Sequence, residues 1–108
     1  MDTIDIGHFA KVKLKTGEIL EVSAHPDADK LYVLKVNLGD RLIQIVAGIR
    51  LSYKPEELIG KKVVVVENLE PKPLRGVISE GMLLAASSPN GPVIISPEKA
   101  VGNGATVK

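Results

Sequence analysis

A chain of 108 residues, 44% hydrophobic and 25% charged, has the size of one domain with a modest core. This composition excludes a disordered tract, and no apolar run nears the ~20 residues of a membrane helix. The absence of cysteine excludes disulfides, thiolate metal sites and a cysteine nucleophile, while a net charge of +1 excludes a globally basic nucleic-acid binder but allows a local phosphate-binding patch. The opening MDTIDIGHF lacks the basic-then-apolar plan of a secretion signal, so the expected location is the cytoplasm.

Thr3 to Ala10 can form one helical turn. Lys11-Val12-Lys13-Leu14-Lys15 then alternates as a half-buried strand with lysines outward. Gly17 interrupts it and is the expected bulge or bend, with Glu18 to Val22 continuing the strand. A long, bent first strand suits a small barrel, where it serves two sides. His25-Pro26-Asp27-Ala28-Asp29-Lys30 is a loop. Leu31–Leu38 and Leu42–Ala47 read as a second and third strand joined by a Gly39-Asp40 hairpin signal. Pro55 to Gly60 is a short helix, with proline at its start, two acids in its first turn and glycine past its end. Val63–Val66 is a fourth, central strand. After the long connection from Asn68 to Met82, Gly81–Ala86 is the fifth. Val93–Ile95 adds a short extra strand before a glycine-rich end.

Five strands with a helix between the third and fourth is the plan of an all-β OB-fold barrel, here with a C-terminal extension. Such barrels bind oligonucleotides on the face of strands 2 and 3 and with the loops joining strands 1–2 and 4–5. Those loops here are HPDADK and Asn68–Glu80. Lys30 can reach a phosphate or neutralise Asp27 or Asp29. Arg75 has a planar fork suited to phosphate, and Gly76 beside it permits close approach of a backbone. Lys72 lies between prolines on a stiff arm, and Asn68 can hydrogen-bond RNA or cap the loop. With only Phe9, Tyr32 and Tyr53 as aromatics, a nucleic-acid ligand would be read through its backbone and shape rather than by stacking of splayed bases.

HPDADKLYVLKVNLG, IVAGI, YKPEELIGKKVVVVENL, LRG and SEGMLLAA, in this order, resemble the tRNA-binding domain at the C-terminus of many methionyl-tRNA synthetases, found also as a free-standing tRNA-binding protein and in endothelial-monocyte-activating polypeptide. The resemblance runs from about Asp5 to the end. It implies an OB-fold, homodimerisation, and shape-dependent, sequence-tolerant tRNA binding near the outer corner of the L, assisting aminoacylation by a catalytic part that lies elsewhere. It makes Ser79 and Met82 of SEGM candidate RNA contacts; without it, Met82 reads as core. A sister family of small export-related chaperones is similar in the first half but lacks LRG and SEGM. This chain departs from the tRNA-binding pattern at Lys13, at Ala47 and at Glu70 and Pro73, where an acid, a serine and lysine-rich loops are common.

Ile4, Ile6 and Phe9 near the start, with Val93, Ile94 and Ile95 beyond the fifth strand, are the expected dimer interface, since barrel edges and apolar tails need cover. A domain that is chiefly a dimerisation or protein-interaction module with weak RNA binding is the alternative reading. Catalysis has no support: Ser79 sits in GVISEG, not in a G-x-S-x-G elbow, and His8 and His25 lack base–nucleophile partners. His25, Asp27 and Asp29 lack the glycine and terminal glutamate of a calcium loop, so no metal or cofactor is expected.

Overall fold

The computed structural model describes all residues from Met1 to Lys108. In chain order it contains α1 (Ile6–Phe9), β1 (Leu14–Ala24), β2 (Tyr32–Asn37), β3 (Leu42–Ala47), α2 (Pro55–Leu58), β4 (Lys62–Val66), β5 (Lys72–Leu74), β6 (Val77–Ser79), β7 (Met82–Leu83), β8 (Ala85–Ser88), β9 (Gly91–Ile94) and β10 (Thr106–Val107). The main sheet runs β3-β2-β1-β4-β7, all antiparallel, and curls into a nearly closed, OB-like five-strand barrel.

The first strand has the predicted double role. Leu14–Glu18 pair with Val66–Lys62 of β4, and Glu18–Ala24 pair with Asn37–Tyr32 of β2. The bulge lies between Ile19 and Glu21 rather than at Gly17. Gly17 serves close packing instead: a Cβ there would sit 2.9 Å from Val36 Cγ1 and 3.1 Å from the Asn37 carbonyl. Lys11 to Lys13 are not strand; they form the turn that leaves α1.

Period-2 burial puts Tyr32, Leu34 and Val36 of β2 and Ile43 and Ile45 of β3 inside, with Ile19, Val63 and Val65 opposite. Leu58 of α2, fully buried, joins this core, and Gly60, at φ +86°, ends the helix and donates to the Ile19 carbonyl. Two aromatics are spent on this framework: Tyr32 donates its hydroxyl to the Tyr53 carbonyl, and the Tyr53 hydroxyl accepts from Ile94 N–H.

The connection after β4 departs most from expectation. Within it, β5 and β6 form a hairpin turned at Arg75-Gly76. The fifth strand is cut to Met82–Leu83 against β4; Ala85–Ser88 leave the barrel to pair with β9. β10, with no counterpart in the predicted elements, pairs with the start of β1. No helix is long and apolar enough to cross a membrane.

Candidate nucleic-acid interface

The main sheet ends in two edge strands, β3 and β7, and the SEGM segment covers the β3 edge. Ser79 Oγ accepts from Val46 N–H at 3.0 Å and donates to the Gly81 carbonyl at 3.1 Å. Glu80 accepts the Gln44 N–H through its carboxylate at 2.7 Å and donates its own N–H to the Gln44 carbonyl. Gly81 passes so close to β4 that a Cβ would lie 2.9 Å from the Val66 carbonyl. Three of the four motif residues therefore close the barrel. Ser79, 7% exposed with its hydroxyl doubly bonded, is not placed to touch RNA. Met82, 46% exposed, is open to solvent and lines a cleft of about 660 Å³ with Val46, Leu69, Lys72 and Leu74.

Asn68 is likewise occupied. Its carbonyl oxygen accepts from Lys13 N–H at 2.9 Å and its amide donates to the Lys11 carbonyl at 2.7 Å. The amide does not cap its own loop as one of the two predicted alternatives has it; it ties the segment after α1 to the end of β4.

The β5–β6 turn projects Arg75 at its tip. Arg75 and Gly76 have φ of +54° and +89°, the two left-handed residues of a type I′ hairpin turn. The Arg75 guanidinium donates to the Asp27 carbonyl at 2.9 Å and so meets the loop between β1 and β2. A shallow pocket between them is lined by Asp27, Ala28, Asp29, Lys30, Leu31 and Arg75. From the other side Arg50 donates to the Ala28 carbonyl at 3.2 Å. Lys30 forms an ion pair with neither Asp27 nor Asp29; the ion pairs present join Lys15 and Arg41 to Glu67 and Lys62 to Glu18. Lys30, Lys72 and Arg75 are exposed and unpaired, and are gathered on the two loops expected to bind.

Of the candidate interface residues, Ile4, Ile6, Phe9, Val93 and Ile95 are exposed, with Ile6 at 81%. Ile94 is the correction: it is 8% exposed and belongs to the core. No residue of α1 is buried, and an apolar groove of about 490 Å³ runs beside it between Ile6, Phe9, Val12 and Val107.

Sequence reasoning misses Arg50 and the role of His25. His25 has no catalytic partner, yet it bonds both the loop 25–31 and the β5–β6 hairpin. A histidine followed by proline and two aspartates signals only a loop; its partner on β5 lies 49 residues away.

A family model described as "Putative tRNA binding domain" matches residues 14–106. The chain belongs to this family. As a tRNA-binding domain it is not itself catalytic. It is 51% identical over 108 residues to methionine–tRNA ligase of Thermococcus kodakarensis, and 46% identical over 109 residues to that of Methanocaldococcus jannaschii. All of this domain is covered in both, but it spans only 15% and 17% of those proteins. Among solved structures, a MetRS-related protein from Pyrococcus horikoshii superposes with a TM-score of 0.93 at 37% identity, each chain fully covered. The CsaA chaperone protein of Picrophilus torridus superposes at 0.92 and 33% identity, over 98% of this domain and all of that chain. Similarity to chaperones, expected in the first half only, thus extends across the tRNA-binding domain, and the backbone fold does not separate the two groups.

Proposed function

We propose that this domain binds tRNA by shape, with little sequence preference, through the loop 25–31 and the β5–β6 hairpin, and that it does so as a homodimer serving the catalytic part of a methionyl-tRNA synthetase. The observation that carries the reading is the meeting of Arg75 with the Asp27 carbonyl, which brings Arg75 and Lys30 onto one pocket, with Lys72 on the cleft beside Met82 at the other end of β5. Three cations outside any ion pair suit phosphates, which position a ligand without specifying its sequence, and Asp27 and Asp29 in the same pocket temper the local charge. Burial of Tyr32 and engagement of the Tyr53 hydroxyl leave no stacking platform on these loops, which favours backbone over base recognition. Ile6 and Phe9, exposed along the groove beside α1, with exposed Ile4 just before it, favour a second copy of the chain as occupant of that face. A dimer would present two weak tRNA sites in one particle and gain avidity.

The deciding experiment titrates the domain into several tRNAs of different anticodon and into a linear RNA duplex at low salt, with sedimentation of the same samples. Similar affinities for all tRNAs and a weaker one for the duplex are expected, on a particle of dimer mass that Ile6→Glu converts to monomer. No tRNA binding at low salt contradicts the reading. The second reading, a dimerisation or protein-interaction module with weak RNA binding, draws on the apolar groove and on the likeness to chaperone structures. It predicts the dimer without appreciable affinity for any RNA.

A further inference from the structure

Apart from the Tyr32 phenol, His25 is the one buried titratable side chain of the molecule, 3% exposed just past the end of the long first strand. Both of its ring nitrogens meet partners whose roles are fixed. Asp27 N–H, which can only donate, lies 2.9 Å from Nδ1. The Leu74 carbonyl, which can only accept, lies 2.9 Å from Nε2. The ring is therefore in the neutral tautomer with its proton on Nε2. Its two bonds run to different elements: Nδ1 shapes the loop 25–31 locally, and Nε2 reaches β5, one residue before the Arg75 tip. The Arg75 guanidinium closes the circuit on the Asp27 carbonyl, the same residue whose N–H His25 holds.

We infer that His25 is a positioning residue for the RNA-binding face: its Nε2–H to Leu74 bond staples the β5–β6 hairpin to the loop 25–31 and fixes the separation of Arg75 from Lys30. β5 and β6 pair only with each other, and a two-stranded hairpin alone is marginal in water. The contacts holding this hairpin to the barrel lie at its base, around Ser79 and through Gln44 to the Ile78 carbonyl. At the tip end the bonds to the barrel are those of His25 and Arg75, and the second is exposed. Without the staple, Arg75 would have to be ordered by the RNA itself, and the ordering cost would subtract from affinity. This role rests on the tRNA-binding reading, but the staple can be measured without RNA.

Two substitutions divide the ring. An asparagine places an acceptor near Nδ1 and reaches no further; a glutamine places a donor near Nε2. A long-range 15N–1H spectrum of the unmodified domain is expected to show Nε2 protonated and Nδ1 bare; a protonated Nδ1 overturns the staple without any variant having to fold. His25→Asn is expected to bind tRNA about tenfold more weakly and His25→Gln within about threefold of the unmodified domain. In the free protein, amides of Lys72 and of residues 74–79 should gain picosecond–nanosecond mobility in His25→Asn and not in His25→Gln. Unchanged affinity in His25→Asn, or equal losses in both variants, overturns the positioning role. If the unmodified domain binds no tRNA, the functional reading fails, and hairpin mobility alone decides the staple. Should His25→Asn not fold, the ring tautomer and the rescue by His25→Gln decide it.

Discussion

Lys15 of β1, Arg41 of the β2–β3 turn and Lys62 of β4 spend their charge on Glu67 and Glu18. Around the loop 25–31 and the β5–β6 hairpin, Lys30, Lys72 and Arg75 have no carboxylate within ion-pair distance, and Arg75 satisfies a carbonyl rather than an acid. The two groups can look alike in sequence: Arg41 and Lys30 each sit between an aspartate and a leucine. What separates them is the partner brought across from a distant strand. A cation already matched by an acid contributes little to a phosphate's field, whereas an unmatched cation keeps its full charge for a ligand and attracts it over about a Debye length. The comparison also explains how a domain of net charge +1 can offer a polyanion a usable surface.

Charge reversal gives the largest effect. Lys30→Glu combined with Arg75→Glu should lower tRNA affinity by about a hundredfold or more, since two attractive contacts become repulsive. Filter binding at fixed low salt reads this, and a change below about threefold would show that the unpaired cluster is not the binding face. A stability effect comes next. Ser79→Ala removes the acceptor of the Val46 N–H at the barrel seam and should cost ~1–3 kcal/mol, seen in denaturant unfolding. Native stability after this change would mean that the seam is held by Glu80 alone and that SEGM is less structural than its bonds imply. The smallest effect is expected on the paired side. Lys62→Ala should cost only ~0.2–1 kcal/mol, as a partly exposed ion pair does. It should leave tRNA affinity unaltered, and a marked drop there would erase the contrast between the two groups.

Much of the framework is legible in the sequence because it is local. Apolar runs closed by turn residues mark β2 and β3, whereas the strict alternation of Lys11–Lys15 misleads because residues 11–13 lie outside β1; Pro55 with Gly60 brackets α2. The connection after β4 is not, for two physical reasons. The hairpin turn places Arg75 in the left-handed region, where asparagine or aspartate before glycine is the usual signal, so only Gly76 announces it. The bonds of Ser79 and Glu80 run to β3, more than thirty residues earlier, and side-chain chemistry alone does not reveal whether a hydroxyl or carboxylate faces a strand edge or a ligand. Asn68 illustrates the same ambiguity, with both halves of its amide consumed by the segment after α1. Lys30 and Arg75 are easier to read, because neither forms an ion pair even though Asp27 and Asp29 line the same pocket.

The central claim is that the unpaired cations, and not the paired ones, neutralise RNA phosphates. It is tested most directly by the slope of log affinity against log salt concentration for the unmodified domain, Arg75→Ala and Lys62→Ala. Each phosphate that a cation neutralises steepens that slope by about 0.7 to 0.9. The account predicts a slope flatter by about one such unit for Arg75→Ala and the native slope for Lys62→Ala. Parallel lines for Arg75→Ala and the unmodified domain, or a flattened line for Lys62→Ala, would contradict it.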